Sequence, residues 1–162
     1  MLGKKFSPDQ KVRSKKKETR KGRFSIIEDA SDSAMKILYA GLNEYVNEKV
    51  GDLRKKNPEV RIKLVLKNTE GQVVGGLRAY TTLGALHIEQ LWIHEQYRRQ
   101  GYGKELLINA EQIAQRHGCI SGLAVVLSFQ TSEFIQNCGY EIFGVSKCSP
   151  PPVKEYYLKK RF

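Results

Sequence analysis

Leu86–Gly118 runs LHIEQLWIHEQYRRQGYGKELLINAEQIAQRHG. Its first part, Leu86–Glu95, has the composition of a strand, and Arg98–Lys104 is a short turn of glycines and cations. From Gly103 to His117, Leu106, Leu107, Ala110, Ile113 and Ala114 fall at helical spacing, and Gly118 is a natural stop. Gly101 and Gly103 lack a Cβ, so the backbone can curl there and offer successive N–H groups to an anion. At a helix N-terminus those unsatisfied donors and the macrodipole favour negative charge. Arg98, Arg99 and Lys104 add side-chain cations, arginine being suited to bidentate phosphate contacts. A strand feeding such a turn makes a site for a pyrophosphate. It is not a P-loop, because Gly-Tyr-Gly-Lys-Glu lacks the Gly-Lys-Ser/Thr arrangement.

Outward from this stretch the elements alternate. Upstream, Arg61–Lys67 and Val73–Thr82 form a hairpin about the turn Asn68–Gly71, and Leu83-Gly84 turns into the strand at Leu86. Before them, Phe24–Glu28 reads as a first strand. Ser31, Asp32 and Ser33 are N-cap candidates for a helix to about Asn47, with Ile37, Leu38, Leu42, Tyr45 and Val46 as its apolar stripe. Lys49–Asn57 reads as a short second helix or loop, ended by Pro58. Downstream, Ile120–Leu127 is a nearly continuous apolar run, a central strand parallel to the one before the helix. Ser132–Cys138 is a short helix, and Tyr140–Lys147 and Lys154–Lys160 are strands.

Arg98-x-x-Gly101-x-Gly103, preceded by LWIHEQY, resembles the acetyl-CoA-binding motif of the GNAT acetyltransferase superfamily. Phe134–Tyr140, FIQNCGY, is similar to that family's later helix-to-strand signature, and the two together cover about Leu86–Val145. The resemblance implies an α/β fold with a six- to seven-stranded mixed sheet, mostly antiparallel with one splayed parallel pair, and helices on both faces. It implies an N-acetyltransferase that uses acetyl-CoA as co-substrate and no metal, with direct attack by an amine in a ternary complex. In that family pantetheine enters the gap between the splayed strands. Carried over, Leu91 and Ile93 pair with it through their backbones, and Arg99, Gly101, Tyr102, Gly103 and Lys104 enclose the pyrophosphate. Arg98, Gln100 and Ser128 are further coenzyme contacts on this reading, whereas Trp92 is a packing residue.

Acetyl transfer to an amine requires a polarised thioester carbonyl, a base for the ammonium proton and a thiolate able to leave. Backbone donors on an opened strand edge would serve the first. For the second, His87 and Glu89 lie two apart on the strand, hence on one face unless a bulge intervenes. Histidine has the more suitable ordinary pKa, and Glu89 could orient it, attract a cationic amine or act through water. The family often places a Glu or His base on this strand. For the third, the family commonly has a tyrosine near the sulfur, four residues before the glycine that is Gly139 here. This chain has Ile135 there, which donates no proton; Tyr140, Tyr102 and Ser128 are the hydroxyls left to consider.

The 162 residues suit one domain with a real core, and the net charge is +11. Ten Lys/Arg against Asp9 and Glu18 place most of that charge in Met1–Arg23. Residues 1–22 therefore read as a disordered basic tail, either simply solvated or weakly attached to RNA, ribosomes or anionic lipid, ahead of an acetyltransferase domain over 23–162. No membrane span, signal peptide or convincing mitochondrial presequence is visible. Cys119, Cys138 and Cys148 lack metal-ligand spacing and read as reduced thiols of a cytosolic protein, with a ping-pong route through Cys138 as the alternative. Three functions remain in play: an acetyltransferase for a small-molecule or protein amine, an acyl-CoA-binding module without turnover, and an RNA-associated protein led by the tail. The acceptor stays open, as does a homodimer.

Overall fold

The computed structural model describes residues 16–18 (as backbone), 24–130, 132–147 and 152–162. The chain divides between Lys49 and Val50 into two compact units. In the first, β1 (Lys16–Glu18) pairs antiparallel with β2 (Ser25–Ile27). Within the stretch expected to be a disordered basic tail, residues 1–22, only β1 is described, held by backbone pairing where side-chain periodicity offers none. The rest of that tail, with its nucleic-acid and lipid readings, lies outside the described residues, as does Cys148.

A helix, α1 (Asp32–Lys56), follows, opened by Ser31, whose hydroxyl accepts the Ala34 N–H at 3.3 Å. Helical geometry breaks at Val50 (φ −137°, ψ 24°), so a first helix is followed by a short second one to Lys56, in line with the expected end near Asn47 and short helix or loop over Lys49–Asn57. That break coincides with the boundary between the units.

The second unit is built on a six-stranded mixed sheet: β3 (Arg61–Lys67), β4 (Val73–Thr82), β5 (Ala85–Ile93), β6 (Ser121–Leu127), β7 (Glu141–Lys147) and β8 (Lys154–Arg161). Its order is β3-β4-β5-β6-β8-β7, and the β5–β6 pair alone is parallel. The parallel pair follows from α2 (Tyr102–Arg116), which carries the chain back across the sheet between its two strands. The short α3 (Ser132–Asn137) leads into β7. No described helix is long and apolar enough to cross a membrane.

One face of this sheet makes the core. Leu86 and Leu158 from the strands meet Leu107, Ala110 and Ala114 from α2, all without solvent exposure. Ile135 and Tyr140 join the same cluster from α3 and the residues after it. The fully buried Thr81 is satisfied: its Oγ1 accepts the Val60 N–H and donates to the Pro58 carbonyl, both at 2.9 Å. It pins the segment entering β3 onto β4.

Candidate active site

The site begins where two strands part. β5 and β6 are in register only from Ala85–Ser121 to Ile88–Ala124, yet β5 runs on to Ile93 and β6 to Leu127. Beyond Ile88 and Ala124 each strand therefore presents an edge without a ladder partner between them. The residues of β5 aimed into this gap follow from alternation. The His94 N–H bonds the Val74 carbonyl on β4 at 2.8 Å, so Trp92 also faces β4 and Leu91 and Ile93 face the gap. The Ile93 carbonyl is already taken by Arg98 Nε at 2.9 Å. Arg98 is thus folded back onto the strand end.

A bulge sets which side chains face where. Arg78 pairs with Gln90 but Ala79 with Ile88, leaving Glu89 as the extra residue. Alternation restarts after it, so Leu91 and Ile93 pack against the core while Trp92 turns away. The proviso on His87 and Glu89 is met in an instructive way, since the bulge falls at Glu89 yet keeps the two on one face. His87 follows the buried Leu86, so it points away from α2, and it stacks on its cross-strand partner Tyr80 with centroids 4.8 Å apart and planes 7° from parallel. Glu89 reaches Arg78 at 2.8 Å, and Arg78 and Tyr80 are alternate residues of β4, hence on the same face. Burial pushes the His87 pKa below its ordinary value, which keeps the imidazole neutral and able to accept a proton at pH 7.

At the other end of β5 the bend is built as its composition predicts. A 3-10 turn, Glu95–Tyr97, leads into Arg99 (φ 60°) and Gly101 (φ 90°), two left-handed residues flanking Gln100. Gln100 directs its amide to the Gln96 carbonyl at 3.2 Å. The first bond of α2 is Glu105 N–H to Gly101 C=O, and no side chain caps the helix. The amides of Tyr102, Gly103 and Lys104 precede that bond, so they lie in the turn of the helix whose donors have no intrahelical acceptor. Gly103 is pressed from behind: a Cβ there would lie 3.2 Å from Phe134 Cζ. Uncapped amides, a helix dipole and the Lys104 side chain fit a pyrophosphate by charge and donor set.

The hydroxyls considered for the leaving thiolate are placed differently. Ile135 is a core residue, 5% exposed. Tyr140 is also in the core, its hydroxyl beside Glu111; burial first, then the Glu111 carboxylate, drives its pKa far up. Ser128 follows β6, and its Oγ accepts the Lys154 N–H at 3.1 Å. Tyr102 stands at the first position of α2. Burial pushes the Cys138 thiol up, which disfavours the thiolate that a ping-pong route would need. Among the described residues no three His, Cys, Asp or Glu side chains gather as a metal site.

Tyr80 and Arg78 had no functional signal of their own in the sequence, and Phe134 had one only as part of the second signature. The first two emerge once β4 and β5 are in register, and the third only from the close approach at Gly103.

Comparison with known proteins gives this geometry its context. Residues 27–140 match the Acetyltransferase (GNAT) family. The crystal structure of an acetyltransferase from Bacillus cereus is 32% identical, with a TM-score of 0.76 over 85% of this chain and 97% of that one. An acetyltransferase from Agrobacterium fabrum is 25% identical over 138 residues, covering 85% of this chain and 98% of its own. An acetyltransferase from Bacillus anthracis in complex with acetyl coenzyme A shares the fold at 19% identity, with a TM-score of 0.58 over 63% of this chain and 62% of that one.

Proposed function

The chain belongs to the GNAT acetyltransferase family, and from that premise we propose that it transfers the acetyl group of acetyl-CoA to an amine by direct attack, with His87 taking the amine's proton. One observation carries the reading: β5 and β6 part after Ile88 and Ala124, beside the uncapped start of α2. The 99–104 bend would hold the pyrophosphate through the amides of Tyr102 to Lys104, with Arg99 and Lys104 supplying charge. Leu91 and Ile93 would bind the pantetheine arm, Leu91 through both backbone groups and Ile93 through its N–H, its carbonyl being engaged by Arg98. Acetyl-CoA supplies an electrophilic thioester carbonyl and a thiolate leaving group.

The chain's own residues do the remaining work. A backbone N–H on the unpaired edge of β5 is the donor for the developing oxyanion. His87, neutral and braced by Tyr80, accepts the proton that an ammonium must lose. Glu89, tied to Arg78, places fixed charge on the same face and helps attract a cationic amine. With the Cys138 thiolate disfavoured, no covalent acetyl-enzyme is needed.

The core position of Ile135 favours a second reading, an acyl-CoA-binding protein with little turnover. Calorimetry with acetyl-CoA, followed by thiol release over a panel of amines, separates the two. Tight binding with release on at least one amine supports the enzyme. Binding without release on any amine supports the module, and absence of binding ends both.

A further inference from the structure

The face of the sheet that carries His87 continues beyond it in one direction. Cross-strand partners share a face, and the registers place Tyr80, His87, Leu123, Lys159 and Glu141 in a single row across β4, β5, β6, β8 and β7. The adjoining row holds Ala85, Ser121 and Arg161. Leu158 is fully buried against α2, which confirms that Lys159 and Arg161 point to the other side, with His87. The far end of these rows is concave. Ser121, Leu123, Glu141, Lys159 and Arg161 line a groove of about 680 Å³, within the range of small-molecule sites.

The charge of this groove is unbalanced. Lys159 and Arg161 face Glu141 alone, and neither cation forms an ion pair with a described residue. Lys159 Nζ instead stands 5.8 Å over the Phe143 ring. Cations held in a groove without carboxylate partners favour an anionic ligand. Only Leu123 separates Lys159 from His87 along the row, with Arg161 in the adjoining row, and two strand spacings amount to ~10 Å. That is within the reach of a small molecule with its amine at the base and an acidic group at the other end.

We propose that the groove lined by Lys159 and Arg161 receives the acidic end of the acetyl acceptor, an amine that also bears a carboxylate or phosphate. The assignment rests on the acetyltransferase reading above, and it names the substrate class that the reading left open. Lys159 and Arg161 bind the anion, Leu123 forms the floor between the two ends, and the reacting nitrogen lies at His87. Neutral amines of the same length would meet the base without an anchor.

The test uses the full chain, saturating acetyl-CoA and three series of probe: unbranched ω-amino carboxylates of increasing length, the matching amino-alkyl phosphates, and the matching neutral alkylamines. Thiol release gives kcat/KM, and calorimetry on the CoA-loaded protein gives binding of the same amines independently of turnover. Charged probes should exceed neutral ones of equal length by about tenfold per cation engaged, with an optimum at one chain length. The carboxylate and phosphate series say which acid the groove prefers. The double variant Lys159→Ala/Arg161→Ala should lose the preference and leave the neutral amines unchanged, whereas Lys159→Arg should retain it. Equal efficiency on charged and neutral amines, or a variant that lowers both alike, overturns the groove and leaves acetyl transfer standing. Anion-dependent binding lost in the double variant, with no thiol release from any amine, keeps the groove and removes the catalytic reading. Neither binding nor release removes both.

Discussion

Tyr80 and His87 face one another across β4 and β5 and stack with their planes 7° apart. The stack covers one side of the imidazole, and burial holds its pKa below the usual 6.5. A histidine so placed is neutral at pH 7 and gains its proton only in more acid solution.

The pH dependence of kcat/KM should therefore show an acid limb with an apparent pKa below that of a free histidine. His87→Ala should remove the limb and lower kcat/KM by ~10²–10⁴-fold at neutral pH. Tyr80→Ala exposes the ring, so the limb should move up toward 6.5 while the plateau above it changes little. Stability follows the same sign. The unfolded chain takes up this proton first as pH falls, so the stabilising contribution is complete above the unfolded pKa and disappears through the lower folded one. A wild-type limb at or above the free-histidine value would remove His87 from the base role.

Gly103→Ala tests the bend. Alanine is the better helix former by ~1 kcal/mol, so on propensity alone the change should stabilise α2. Here the new methyl would sit 3.2 Å from Phe134 Cζ. Either the ring or the start of the helix must shift, and the second displaces the amides offered to the pyrophosphate. The expected result is a roughly tenfold weaker acetyl-CoA Kd by calorimetry, largely restored in Gly103→Ala/Phe134→Leu. An unchanged Kd in the single variant would mean that the helix start does not bind the coenzyme.

Thr81→Val is close to isosteric but deletes two hydrogen bonds at a residue 1% exposed. It strands the Val60 N–H and the Pro58 carbonyl, and leaving such groups without partners costs about 1–3 kcal/mol. Chemical denaturation should show that loss in the midpoint with little change in slope. Thr81→Ser keeps both bonds and should lose less.

The glycine bend, α2 and the succession of elements were legible because each depends on local chemistry. Gly101 permits a left-handed turn, and Leu106, Leu107, Ala110 and Ala114 carry a helical period that needs no tertiary context. The point at which β5 and β6 separate was legible only through resemblance, since nothing in Ile88 or Ala124 announces that pairing ends there. The bulge at Glu89 was invisible for the same reason, because register is a property of two strands. Arg78 and Tyr80 became part of the site through that register, and the row from Tyr80 to Glu141 required four registers at once. The pairing at Lys16–Glu18 was not legible because a backbone ladder can form without apolar alternation.

The acid that assists the departing thiolate is the last question the site poses, and two substitutions address it. Ile135→Tyr would restore the family's hydroxyl position, but Ile135 is packed in the core, and overfilling such a site typically costs ~1–3 kcal/mol. The expected outcome is a lower Tm without a faster kcat, because the ring has no path to the cleft that spares the core. Tyr140→Phe makes the complementary point. The hydroxyl of Tyr140 is buried beside the Glu111 carboxylate, and its pKa is driven far above the ordinary phenol value. Removing this hydroxyl leaves the buried Glu111 carboxylate without its polar neighbour, so stability should fall by about 1–3 kcal/mol, and kcat should not change. A tenfold fall in kcat at preserved Tm would instead put that hydroxyl in the proton path and require Tyr140 to reach the sulfur during turnover.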